Sequence, residues 1–241
     1  MLIYDKVCTL KKQKSATMLL LGGIFAGMYI AIGALCSQIA AAAGMSRVVS
    51  SALFPVGLIM VVLMGAELFT GNCLLPAGLL SGTLDLKDVT KNWLLVYLGN
   101  FIGSFLFANT VIFCGIHNMF DGELSEIMLS AYSSKLDQAA GVLIFKGILC
   151  NILVCTAVWM AIHADNYAGK ILSAFIPTFV FVYLGLEHSV ANMYFLPVAV
   201  LTGGTLETPY ILIIRQILIV TVGNIIGGIL VAVWQYCNSH D

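Results

Sequence analysis

The chain has 241 residues, of which 60% are apolar and only 10% charged, with a formal net charge of −1 and a mean hydropathy of +1.00. That is too little charge to cover a soluble domain of this length, and the near-neutral balance gives no reason to invoke nucleic acid. The composition is that of an integral membrane protein.

Residues 1–17 carry Lys6, Lys11, Lys12 and Lys14 and read as a cytoplasmic N-terminal segment. The apolar runs that follow group by their breaks into six helical spans, at about 18–45, 50–80, 92–116, 140–163, 171–200 and 212–236. Most of these runs reach the roughly 20 residues that a helix needs to cross a bilayer. A transmembrane barrel would require strands of alternating polarity near ten residues long, and none is visible. The first apolar run is too long for a signal peptide and has no suitably placed small-residue cleavage site, so none is predicted.

Orientation follows from the basic residues. With the N-terminus inside, Lys6, Lys11, Lys12, Lys14, Lys87, Lys91 and Lys170 face the cytoplasm, against Arg47, Lys135 and Arg215 outside. This bias places both termini in the cytoplasm of a cell-membrane protein. The connection 117–139, with Asp121, Glu123, Glu126 and Asp137, is then an external loop. The seven cysteines are scattered through the helices without a CxxC pair, which argues against a disulfide framework or a zinc site. No cofactor is predicted.

A repeat is hidden in the chain. GAELFTGN at 65–72 and GLEHSVAN at 185–192 share the pattern G-x-E-x-x-x-x-N at an offset of 120, each followed by a proline, Pro76 and Pro197. GNFIGS at 99–104 and GNIIGG at 223–228 match at an offset of 124, and GIFAG at 23–27 compares weakly with GILCN at 147–151. Halves of about 18–116 and 140–236, with three spans each, must enter the membrane from opposite sides. Inverted repeats of this kind put a permeation site near mid-membrane, where the halves meet. Proline removes a backbone donor, and irregular backbone at membrane depth survives only when buried or lining a wet cavity. Spans 2 and 5 are therefore predicted to be broken, with Gly71, Gly78 and Gly82 easing a longer irregular stretch in span 2.

Four ionizable residues fall within the apolar runs: Glu67, Lys146, Glu187 and His188. Such residues are costly in a bilayer and face the protein interior. The two glutamates recur in both halves, which favours a structural role in satisfying amides at the helix breaks. Asn72, Asn151 and Asn224 are expected to be structural there too. His188 has Leu68 as its counterpart, so the repeat does not require it; an imidazole there can donate a hydrogen bond to an anion or titrate near neutral pH. Lys146, opening span 4, is either a snorkelling lysine or the source of a field that draws anions in. Phe69, Phe181, Leu80 and Leu84 lie near the breaks and are candidates for apolar pore walls. Phe181 precedes His188 by two helical turns and so shares its face.

At GGIFAGMYIAIG (22–33), AELFTGN (66–72), NWLLVYLGNFIGS (92–104), FKGILCNILVCTAVWMA (145–161) and GLEHSVANMYFLP (185–197) the chain resembles the formate/nitrite transporter (FNT) family, and within it the hydrosulfide channels. The resemblance runs from about residue 22 to 228. It implies an all-α, aquaporin-like fold of six spans, assembled as a homopentamer with one pore per subunit, the whole chain 1–241 being one channel domain. It implies a central histidine at His188 between two hydrophobic constrictions, with Phe181 at the cytoplasmic one and Lys146, Glu187 and Asn192 beside the histidine. The family's span 2 loop brings a threonine toward the histidine; ungapped counting lands on Asp85, with Thr83 and Leu84 as the nearest alternatives.

The implied function is a channel for small monovalent anions (hydrosulfide, formate or nitrite) whose flux is linked to pH, by proton sharing with His188 in an apolar slit. The rival is a proton-coupled secondary transporter using the same site. An intramembrane enzyme is disfavoured, because Glu187-His188 lacks HExxH spacing and no serine sits in a nucleophile motif. A water or glycerol pore would need paired Asn-Pro-Ala motifs, and an ammonium channel a longer chain with paired histidines.

Overall fold

The structure, a computed structural model, describes residues 3–203 and 210–239, and within them it is helical, with no strand. A short helix α1 (Ile3–Gln13) precedes α2 (Ala16–Ala42), whose start is fixed by Ser15 accepting from the Met18 amide at 3.2 Å. Next come α3 (Arg47–Leu53) and α4 (Val56–Met64), which run on through Pro55 as one apolar stretch, then the short α5 (Phe69–Asn72) and α6 (Pro76–Leu80). The long α7 (Leu86–Phe113) opens with a reciprocal cap, Asp85 accepting from the Asp88 amide and Asp88 from the Asp85 amide. The remainder is α8 (Glu123–Leu136), α9 (Ala140–His163), α10 (Tyr167–Tyr183), α11 (Ser189–Gly203) and α12 (Tyr210–Asn238).

Among the described residues, five stretches are long and apolar enough to cross a membrane: Ala16–Ala42, Arg47–Met64, Leu86–Phe113, Ala140–His163 and Tyr210–Asn238. Phe69–Leu80, Tyr167–Tyr183 and Ser189–Gly203 are apolar but shorter. The region expected as one span at 171–200 is thus two helices with 184–188 between them. The chain also leaves the helix at 65–68. Prolines do not mark these two ends: Pro197 sits inside α11, contrary to the expectation, while Pro76 opens α6 directly after a turn at 73–75. Glycines do. Gly65 and Gly185 adopt φ of 64° and 68°, the left-handed turn that ends a helix cheaply when no Cβ is present.

Helix α2 packs along α7, and α9 along α12. Both contacts depend on glycine: a Cβ on Gly103 would run into the Ile24 carbonyl, and one on Gly227 into the Ile148 carbonyl. Small residues at these crossings let backbones approach, which drives helix association where lipid removes the hydrophobic drive.

The connection 117–139 is not a loop. Gly122 turns the chain at φ 95°, Glu123 and Glu126 favour the first turn of α8, and Leu124, Met128 and Tyr132 form a buried stripe at i, i+4, i+8. That stripe holds α8 against α2 and α11. Helix α1 is likewise docked: Tyr4 stacks near Trp159 at 5.0 Å, Asp5 accepts from Ser81 and Thr83, and Lys12 pairs with Asp88 at 2.7 Å.

Candidate functional site

Where the chain leaves the helix at 65–68 and again at 184–188, its backbone groups need partners within the protein. Two asparagines supply them. Asn100 on α7 accepts from the Phe69 amide at 2.9 Å and donates to the carbonyls of Gly23 and Glu67. Asn224 on α12 accepts from the Ser189 amide at 2.8 Å and donates to the carbonyls of Gly147 and Glu187. The amides at the two interruptions are therefore held by Asn100 and Asn224, not by the Glu67 and Glu187 carboxylates, which corrects the role expected of the glutamates. In the sequence only its alignment with Asn224 in the GNFIGS/GNIIGG match marks Asn100.

The carboxylates have a different task. Asn72 donates to Glu67 at 2.7 Å and to Asn92 at 2.8 Å; Asn192 donates to Glu187 at 2.7 Å and to Gln216 at 3.2 Å. Glu67 and Glu187 are 1% and 3% exposed, so each needs a cation. Glu67 receives Lys11 of α1 at 2.6 Å and Lys14, just after that helix, at 2.7 Å. Glu187 receives Lys135 from α8, at 3.0 and 2.9 Å to its two oxygens. Lys146, expected beside the histidine, instead donates to Gln138 at 2.8 Å. It lies in the second turn of α9, half-buried, and is linked to the glutamate only through Gln138, which donates to Glu187 at 3.4 Å.

The halves part at Leu68 and His188. His188 ends the irregular stretch just before α11, and its Nδ1 accepts from the Ala191 amide at 3.0 Å, in the manner of a helix cap. Nδ1 therefore carries no hydrogen, and Nε2 is the N–H that donates to the Thr70 hydroxyl at 2.9 Å. Thr70 is the threonine that meets the histidine. Thr83, the expected contact, bonds Ser81 and Asp5; Asp85 caps α7; and Leu84 is buried against Gly78. Ungapped counting failed because it placed the contact in the chain beyond α6 instead of in α5. The Thr70 carbonyl is held by Asn151 at 3.2 Å and by the Cys155 thiol at 3.3 Å, and Asn151 also donates to the Asn224 carbonyl.

One cavity reaches His188, and a second reaches Leu68 and Gly71 beside Thr70. The α1-side cavity, about 290 Å³, is lined by Lys11, Lys14, Glu67, Leu68, Asn72 and Lys170 among others. The α8-side cavity, about 460 Å³, is lined by Phe54, Lys135, Lys146, Phe181, Glu187, His188 and Asn192 among others. Phe181 lies parallel to the His188 ring, with centroids 5.7 Å apart, and meets Phe54 edge-on at 5.6 Å. It thus belongs to the side opposite α1, not to the N-terminal side expected of it. Phe69 is clamped edge-on between Trp93 and Tyr97 and lines neither cavity; Leu68 lines the first. Leu80 is 47% exposed and lines neither cavity.

Cys8 reports on the docking of α1. Burial pushes its thiol up to about 11, against a hydrogen bond from Tyr4. A rise of this size cuts the reactive thiolate near pH 8 roughly a hundredfold. Cys8 is expected to alkylate with a maleimide at least tenfold more slowly than exposed Cys237, its rate climbing as pH rises toward 11. In a Lys11→Ala/Lys14→Ala/Glu67→Gln protein, which loses the ties of this segment to Glu67 without stranding a buried carboxylate, the rate should rise toward that of Cys237. Mass-spectrometric labelling kinetics check this, and equal rates in the unaltered protein contradict a docked α1.

Comparison with known proteins places this architecture. The profile of the family described as "Formate/nitrite transporter" matches residues 3–237. The chain is 32% identical to a "Probable formate transporter" of Methanothermobacter thermautotrophicus, covering 97% of this chain and 93% of that protein. It is also 32% identical to the "Formate channel FocA" of Haemophilus influenzae, over 96% of this chain and 90% of that one. Among solved structures it superposes on an "FNT family ion channel" with a TM-score of 0.87 at 28% identity, covering 98% of this chain and 96% of that one. It superposes on a "Pentameric formate channel with formate bound" with a TM-score of 0.82 at 28% identity, covering 94% and 98%. These relatives are channels and transporters, not enzymes, and the chain is likewise a multi-pass membrane transport protein of all-helical fold. It belongs to the formate/nitrite transporter family.

Proposed function

We propose that the chain is a channel for small monovalent anions that are the bases of weak acids (formate, nitrite and hydrosulfide), with the path running between the two cavities through the waist formed by Leu68, Thr70, Phe181 and His188. The observation that carries this reading is a buried imidazole that lines the α8-side cavity and is hydrogen-bonded to Thr70, whose neighbour Gly71 lines the α1-side cavity together with Leu68. The matched hydrogen bonds around Asn100 and Asn224 support an inverted repeat of three spans and three, interrupted at 65–68 and 184–188. The whole chain forms one channel domain, and the pentameric relative supports a homopentamer with a pore in each protomer. The lysine bias places α1 and both termini in the cytoplasm of a cell-membrane protein. The sequence resemblance lies nearest the hydrosulfide channels, but its motifs do not separate hydrosulfide from formate or nitrite, and formate is the permeant named by the relatives.

The waist works by donation of a hydrogen bond. An anion entering an apolar slit loses hydration, a large cost unless protein groups replace it. With Nδ1 engaged by Ala191, His188 offers Nε2–H, and Thr70 can rotate its hydroxyl away to release it. Protonating the ring fully would break the Ala191 bond at the start of α11, where the helix dipole already disfavours positive charge. The pH dependence therefore resides chiefly in the fraction of permeant present as anion or acid, and not in His188. Lys135 neutralises Glu187, and Lys11 and Lys14 neutralise Glu67, so neither carboxylate repels an anion at its cavity.

Flux into proteoliposomes across formate, nitrite, hydrosulfide, acetate and chloride tests the function. The three small weak-acid anions are expected to pass at least tenfold faster than chloride, whose acid is fully dissociated. Chloride passing as fast as formate would contradict the reading. Currents without a fixed proton stoichiometry distinguish the channel from the rival, a proton-coupled secondary transporter.

A further inference from the structure

We infer that Arg47 gathers permeant anions at the mouth of the α8-side cavity, acting on capture and not on passage through the waist. Arg47 is the first residue of α3, exposed, and its guanidinium carbon lies 5.8 Å from the centre of the Tyr183 ring. One of its terminal nitrogens lies 3.1 Å from where a Cβ on Gly185 would stand, so the bare glycine makes room for it. Gly185 itself lines the α8-side cavity, together with Lys135, Lys146 and His188. The guanidinium is thus held at the rim by a ring face and a glycine, two contacts that leave its charge unneutralised.

The charge balance of this mouth makes that position matter. Lys135 spends its charge on Glu187. Among the described residues, Arg47 and Lys146 have no carboxylate within ion-pair distance. The segment that carries α8 also exposes Asp121, Glu123, Glu126 and Asp137, which repel an approaching anion. Unpaired cations beside a low-dielectric cleft raise the local concentration of small anions, by an amount that falls steeply with ionic strength. Arg47 also sits at the C-terminal end of α10, where a cation simply braces the helix dipole. A brace predicts different kinetics.

This inference rests on the channel reading above. Initial rates against formate and hydrosulfide concentration are measured for the full chain in proteoliposomes, with the anion supplied on the α8 side, at about 20 mM and about 500 mM ionic strength. Arg47→Glu is expected to raise KM threefold or more at low salt while leaving the maximal rate within twofold, and the difference should collapse at high salt. Arg47→Lys should stay close to the unaltered protein, guarding against misfolding, and melting temperatures are recorded for both. A fall in maximal rate at unchanged KM, or a loss equal at both salts, assigns Arg47 to bracing α10 and overturns the inference. An unaltered protein that carries neither anion overturns the channel reading itself, and this inference with it.

Discussion

Lys135→Ala is expected to destabilise the protein by about 3–5 kcal/mol, the cost of leaving a buried carboxylate without its cation. Glu187 is 3% exposed and takes both of its short charged contacts from Lys135; Asn192 and Gln138 give it only neutral donors. For a chain of this size the loss corresponds to a fall of about 10 °C in melting temperature. Lys146→Ala should cost far less, under about 1 kcal/mol, because its ammonium is half-buried and bonded to the neutral Gln138. The control is the double variant Lys135→Ala/Glu187→Gln, which removes both charges and should recover most of the lost stability. Thermal unfolding in detergent, followed by light scattering or tryptophan fluorescence, gives the order. If Lys146→Ala proves the more damaging variant, the assignment of Lys135 as the partner of Glu187 is wrong.

The same logic applies at Glu67 with one difference. Its cations arrive on α1 and on Lys14 just after it, a segment tied down by Tyr4, Asp5, Lys11, Lys12 and Lys14 and by no long apolar span. The α8-side glutamate is neutralised by a helix that carries its own buried stripe, Leu124, Met128 and Tyr132. The two ends of the molecule are therefore alike in electrostatics and unlike in how firmly the compensating charge is attached.

Much of the frame was legible because the sequence states it twice. Glu67 and Asn72 recur as Glu187 and Asn192 at one offset, and the structure gives each pair the same 2.7 Å contact. Asn100 and Asn224 stood in the second match, but only their hydrogen bonds reveal that they hold the irregular backbone. Asn92 and Gln216 also obey the offset of 124, yet an asparagine against a glutamine leaves no visible motif. The long-range partners were not legible. Lys135 lies 52 residues from Glu187, in a segment whose acids masked an i, i+4, i+8 stripe. Lys11 and Lys14 read as topology signals, since the chain gives no local hint that the segment preceding α2 folds back onto Glu67. Thr70 stands inside AELFTGN, but nothing local marks it, because its partner, His188, is 118 residues away.

His188 carries the largest functional consequence, and three replacements separate its possible duties. Leucine, the residue at the matching position 68, keeps neither the cap nor the donor. Asparagine keeps an oxygen near Nδ1 for the Ala191 amide but places no N–H at Nε2. Glutamine reaches the Nε2 position with an amide hydrogen and cannot titrate. Losing one hydrogen bond to a dehydrated anion costs about 1.5–3 kcal/mol, which is roughly a tenfold to hundredfold loss of rate.

Formate flux into proteoliposomes, followed from pH 5 to 8 in these three variants, tests the waist most directly. The expected outcome is a tenfold or greater loss for His188→Leu and His188→Asn, with His188→Gln within a few-fold of the unaltered protein and following the same pH profile. Undiminished flux through the leucine variant removes His188 from the path. Equal loss in all three, with a flattened pH profile, puts proton transfer by the ring in place of its hydrogen bond.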